Sequence, residues 1–268
     1  AHHLRFVKDD PKFFNRDRFV MSAGHGSALL YATLGMAGFN IELDDLKKFR
    51  KLDSITPGHP EYGVTPGVDA TTGPLGQGVA MAVGMAIAER HSEALVNDRK
   101  TKVIDYNVYC LCGDGDLMEG VSYEACSLAG RLRLNNLILL YDSNRVCLDS
   151  DTNKTFIDNI EERFKSMGFN YLTSDDSVSS IDKAITSAKS SALPTIIEIK
   201  STIGKYSKNA GKNIVHGKPL GDEDITNIKK ELNIRDIPFA ISSETLESFQ
   251  NFINERNNNL KADFDGLK

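Results

Sequence analysis

The chain has 268 residues, 40% hydrophobic and 26% charged, which suits one large buried core, or one core plus a small satellite, and not a disordered chain. Its formal net charge of -5 gives a nucleic acid nothing to bind electrostatically. No apolar run approaches the roughly 18 residues of a membrane span, so no nucleic-acid or membrane partner is expected.

The opening AHHLRFVKDDP lacks the apolar stretch of a signal peptide, and His2 and His3 suit either a native start or a tag. SAGHGSALLYATLGMAGF reads as a loop entering a helix, and a second helix follows near Glu42 to Lys51. The stretch from Asp53 to Gly78, rich in Gly, Pro and Thr, is longer than a connector needs, and ordered loops of that length usually carry function. Val79 to Val96 predicts a buried helix. Val108 to Cys112 predicts a strand, Leu117 to Leu132 a helix and Leu137 to Tyr141 a second strand, together a βαβ unit. Helices are expected from Glu161 to Met167 and from Ile181 to Ser190, then a strand from Thr195 to Lys200. Alternation of helices with short apolar strands points to an α/β fold, a parallel central sheet flanked by helices. Ser201 to Gly221 is a glycine-bearing basic loop with Lys205, Lys208, Lys212 and Lys218, fit to steer an anionic ligand or to form a solvated face. The tail from Asp222 reads as helical pieces ending in the polar NERNNNLKADFDG. Cys110 and Cys112 alternate within one strand and should face one side. With no CxxC pair, the four cysteines read as small thiols in a reducing cytosol, and a cytoplasmic location is expected.

Chemistry concentrates at Gly113, Asp114 and Gly115, where a strand turns into a helix. Open α/β sheets place ligands at that end. Glycines let the backbone approach a phosphate, and the following helix offers free N–H groups. A carboxylate beside a diphosphate needs a divalent cation between them, and magnesium takes about six oxygens, often with substrate phosphates among them. The next strand should supply a second ligand, and NLILLYDSN ends at Asn144, 144 - 114 = 30 residues on. A backbone carbonyl near Val146 would complete the protein ligands. The other reading of these residues is a tight Asp-Gly turn in an ordinary Rossmann-like unit.

GDG followed by Asn144 resembles the thiamine-diphosphate fingerprint, although the usual NN ending is here Ser143-Asn144. DRFVMSAGHGSALLY, TPGHPEYGVTPGVDATTGPLGQG, GDGDLMEGVSYEACSLAG, YDSNRV and VHGKPL occur in the order seen in transketolases, and the resemblance runs from about Arg16 to Leu232. It implies the thiamine-diphosphate-binding fold, with thiamine diphosphate and Mg2+ (Ca2+ or Mn2+ as substitutes) as cofactors. The implied activity is transfer of two-carbon ketol groups between sugar phosphates in the pentose phosphate pathway. It implies cofactor contacts from His25, Gly73, Pro74, Leu75, Gly113, Asp114, Gly115, Asn144 and His216, and metal ligands Asp114, Asn144 and the Val146 carbonyl. His25, His59 and His216 are implied on the substrate, His59 at the sugar hydroxyls and reacting carbonyl, His216 also in proton transfer. His25 would serve equally as a capping or packed histidine. Glu119 and Glu124 would default to an exposed helix face; the resemblance puts them at a homodimer interface, linking two active sites. His91, outside any motif, is expected to be structural or exposed.

The family is more than twice this length. The expected organisation is an N-terminal remnant of a helical lead-in at 1–15, the thiamine diphosphate and Mg-binding α/β domain at 16–235, and at 236–268 the start of a linker towards a pyrimidine-binding domain. That domain, in cis or in a partner subunit, would supply a glutamate that activates the cofactor. The chain is therefore expected to be half of each active site and inactive alone. The 201–221 loop is expected to be mobile without cofactor. A split enzyme with its second half on another polypeptide, a dihydroxyacetone synthase, and a non-catalytic binding or assembly module are the alternatives.

Overall fold

The structure, a computed structural model, describes residues 2–265. Five parallel strands form its sheet: β1 (Arg18–Met21), β2 (Val108–Gly113), β3 (Leu137–Ser143), β4 (Asn170–Asp175) and β5 (Thr195–Lys200), in the order β1-β2-β3-β5-β4. The βαβ unit and the strand at 195–200 stand where the sequence puts them. β1 and β4 were not legible as strands. β1 is only four residues long, and β4 is a half-exposed edge without clean alternation.

The helices are α1 (Ser27–Met36), α2 (Leu43–Lys47), α3 (Gln77–Val96), α4 (Gly120–Arg131), α5 (Ile160–Ser166), α6 (Val178–Lys189), α7 (Asp222–Glu231) and α8 (Ser243–Asp265). Period-2 alternation in the strands sends side chains to two cores. On one face Val108, Cys110, Cys112, Leu137, Leu139 and Tyr141 meet α3, α4 and α5, so Cys110 and Cys112 do share a side. On the other, Tyr109, Ile138 and Ile197 meet Ala184, Ile185 and Ala188 of α6, while Met21 meets Leu30 and Tyr31 of α1. Asn159 and Ser177 cap α5 and α6 by accepting the N–H groups of Glu162 and Ser180. The polar end of the tail is wound, as far as Asp265, into α8, whose Ile253 is buried with Ala37 and Phe39, and Gln250 donates to the Met36 carbonyl at 3.2 Å. No helix among the described residues is long and apolar enough to cross a membrane.

The end of α4 runs against the turn after α5, where Gly130 faces Met167 and Gly168. A Cβ at Gly130 would collide with the Met167 carbonyl, a backbone atom that cannot rotate away. Gly130→Ala is expected to destabilise the chain by about 2 kcal/mol, the usual cost of overpacking. An unchanged denaturant midpoint would refute this contact.

Candidate functional site

β2 and β3 end together, Gly113 being registered against Asp142, and the chain turns over both tips. Asp114, just past β2, is buried. Its Oδ1 accepts the Tyr141 hydroxyl at 2.7 Å and its Oδ2 accepts the Arg145 N–H at 3.0 Å. Burial pushes its carboxyl above the usual range. The Tyr141 hydroxyl and the Arg145 and Asn144 N–H groups offset this in part, while the Asp142 charge adds to it. Its partners are a phenol and two amides, with no cation among them. The Asn144 amide donates to Asp142 at 3.1 Å, and its Oδ1 accepts the Val146 N–H at 3.0 Å. Asp114, Asn144 and Val146 line one cleft of about 670 Å3.

Among the described residues no three His, Cys, Asp or Glu side chains converge as a metal cage. A cation here would rely on one carboxylate, on amide and carbonyl oxygens, and on oxygens of its ligand, the kind of set magnesium takes.

The histidines gather at the same end of the sheet. His25 sits in a 3-10 turn, Gly24–Gly26, between β1 and α1, and its ring centroid is 5.1 Å from that of His216. Burial, more than the nearby His216 and His59, holds the His25 imidazole below its usual pKa, against the opposing pull of Asp116 and Asp142. It is therefore neutral near pH 7 and offers one N–H. The Nδ1 of His216 is buried with no hydrogen-bond partner among the described residues, the kind of orphan that a bound ligand satisfies. His59 lies against Gly73: a Cβ built on Gly73 would reach His59 Cγ at 3.4 Å, and one on Gly24 would reach Gly73 N at 3.0 Å. Leu75 fills the space over Gly115, where a Cβ would meet its Cδ1 at 2.8 Å. The Gly73–Pro74–Leu75 loop thus lies across the turn that carries Asp114, with Pro74 exposed. The chemistry of these groups suits a diphosphate, with glycine backbone at a strand end, a carboxylate for its counter-ion and two neighbouring imidazoles, and the imidazoles lie outside the cleft that Asp114 lines.

Glu119 and Glu124 stand apart, exposed at the N-cap and first turns of α4, with Leu128 and Leu132 exposed further along that helix. His91 is exposed on α3. In the basic loop Lys205 pairs with Asp176 at 2.7 Å and Lys208 with Glu223 at 3.3 Å, while Lys212 and Lys218 are exposed. Sequence reasoning passed over Asp142, which accepts the Ser201 hydroxyl as well as the Asn144 amide. It also passed over Asp116, fully buried behind the glycine turn. Neither was singled out, because the partners that fix them include residues far along the chain, Ser201 for Asp142 and Ser22 and Gly76 for Asp116.

A family model described as "Transketolase, thiamine diphosphate binding domain" matches residues 1–267. The chain is 48% identical over 276 residues to a transketolase of Staphylococcus aureus strain MW2, covering 100% of the chain and 41% of that protein. It is 54% identical over 219 residues to one from Geobacillus stearothermophilus, covering 80% of the chain and 33% of that protein. The solved transketolase from Leishmania mexicana superposes with a TM-score of 0.95 at 43% identity, over 98% of this chain and 40% of the other. The chain thus spans about two fifths or less of the length of these relatives. The family model, the identities and the parallel sheet with its paired strand tips agree: the chain belongs to the transketolase family, as its thiamine diphosphate binding domain.

Proposed function

We propose that this domain anchors the diphosphate in an active site that moves a two-carbon ketol group from a ketose phosphate to an aldose phosphate. The observation that carries this is the meeting of the Asp114 carboxylate with the 144–146 turn in one cleft. Asp114, Asn144 and the Val146 carbonyl would hold Mg2+, or Ca2+ or Mn2+ in its place, and through it the diphosphate. His25 and His216 would donate to phosphate oxygens, and the N–H groups of Asp114 and Gly115 would face them. Gly73, Pro74 and Leu75 would press on the thiazolium and aminopyrimidine rings, and His59 would orient the sugar. Thiamine diphosphate, when bound, supplies the nucleophilic carbon and the electron sink. The chain's own work is to anchor, to orient, and at His216 to pass a proton.

The rest of the site would come from a pyrimidine-binding domain, in cis or on a partner subunit. The exposed face of α4, with Glu119, Glu124, Leu128 and Leu132, suits a homodimer contact there. Buried free thiols at Cys110, Cys112 and Cys126 agree with a reducing cytoplasm.

Titration calorimetry with thiamine diphosphate, with and without Mg2+, tests the reading. Binding that depends on Mg2+ is expected. No binding under either condition would favour a non-catalytic module. Adding the remaining domains should give ketol transfer that the chain alone lacks.

A further inference from the structure

Asp116 is fully buried, yet no Lys or Arg among the described residues forms an ion pair with it. Leaving a carboxylate in the interior without a cation is costly unless hydrogen bonds satisfy its lone pairs. Here three donors do so. Oδ1 accepts the Ser22 hydroxyl at 2.6 Å and the Gly76 N–H at 2.8 Å, and Oδ2 accepts the Gly113 N–H at 2.9 Å. The Ser122 hydroxyl donates to the Asp116 carbonyl at 2.6 Å and fixes the turn that presents it.

The donors come from three separate segments. Ser22 follows β1 and opens the turn holding His25. Gly76 ends the loop of Gly73, Pro74 and Leu75, in a left-handed conformation (φ 77°) that starts α3. Gly113 opens the turn holding Asp114. Ser22 lies 94 residues from Asp116 and Gly76 lies 40, so no local propensity sets their spacing. The two acids of the Gly-Asp-Gly-Asp run face opposite ways: Asp114 towards the cleft, Asp116 into the protein.

We propose that Asp116 is a positioning residue whose buried carboxylate clamps the Ser22, Gly76 and Gly113 segments and so sets the shape of the cradle that receives the diphosphate. The cofactor role of that cradle rests on the function proposed above; the clamp itself does not. Charge-assisted bonds to N–H groups are about twice as strong as neutral ones. An isosteric amide has one acceptor oxygen and turns an N–H towards at least one donor.

In Asp116→Asn, the amide hydrogens of Gly76 and Gly113 should exchange with solvent at least about tenfold faster by NMR. Affinity for thiamine diphosphate with Mg2+ should fall about 10- to 100-fold, the range for a partner that acts through a ligating residue. Unchanged exchange at both glycines, or unchanged affinity despite faster exchange, would overturn the proposal. Should that variant fail to fold, Ser22→Ala removes a single donor; a severalfold loss of affinity supports the clamp and no loss overturns it. A parent chain that binds no thiamine diphosphate refutes only the cofactor reading, and exchange at Gly76 and Gly113 then decides the clamp.

Discussion

Asp114→Ala is expected to weaken Mg2+-dependent binding of thiamine diphosphate by on the order of 100-fold or more, beyond what the loss of an outer-shell partner costs. Asp114 is the only carboxylate offered in the proposed ligand set; Asn144 and Val146 bring neutral oxygens. Without it, the cation must be held by amide and carbonyl dipoles and the diphosphate alone. Stability should move the other way in the empty protein. Burial raises the Asp114 carboxyl above its ordinary value, so the folded state binds its proton more tightly than the unfolded chain does. Such a group contributes less stability as pH rises through its folded value, and at neutral pH its ionised form is a burden. Asp114→Asn keeps the volume and lifts that burden, so the cofactor-free variant should melt no lower than the parent near pH 8. Cofactor with Mg2+ should raise the melting temperature of the parent by mass action and leave that of Asp114→Ala unmoved. Calorimetry and thermal melts read both effects. Retained Mg2+-dependent binding within threefold of the parent would end the metal assignment.

That opposition between stability and binding also explains why some residues of the candidate site stand out in the sequence and others do not. Asp114 and Asn144 stand out because each follows an apolar strand, a place where a polar side chain does nothing for the core. The histidines stand in turns with the same logic. Asp116 follows the same glycine turn but points inward, and only the fold brings Ser22 and Gly76 to it. In the sheet, β2, β3 and β5 are apolar enough to read directly. β1 is too short to show a period, and β4, at the edge, carries Thr173 and Asp175 because one side is solvated. The polar run NERNNNLKADFDG shows no helical face of its own. As far as Asp265 it continues α8, because residues upstream, Phe249 and Ile253, dock on Ala37 and Phe39.

Glu89→Gln is expected to stabilise the chain at pH 8 by about 3 kcal/mol and to do nothing for the proposed cofactor site. Glu89 lies on α3 and is buried beside Asn136, at the amino ends of the strands, far from the turns that hold Asp114 and the histidines. Burial pushes its carboxyl up to about 7 from an ordinary 4.5, against the pull of Arg90, whose Nε is 3.9 Å away. In the folded chain Glu89 therefore holds a proton that the unfolded chain releases. Stability from this residue is fully present below about pH 4.5 and is lost as pH rises through 7. Each pKa unit separating the two states is worth about 1.36 kcal/mol, which sets the size of the effect. Glutamine supplies the same acceptor to the Asn136 amide, which donates to Glu89 at 2.7 Å, and cannot ionise. Parent and variant should have nearly equal denaturant midpoints near pH 4.5 and diverge steadily to pH 8. The difference between the two curves isolates Glu89 from every other titrating group. Parallel curves across that window would mean that Glu89 ionises in the fold without penalty, its charge met by Arg90 rather than excluded by burial.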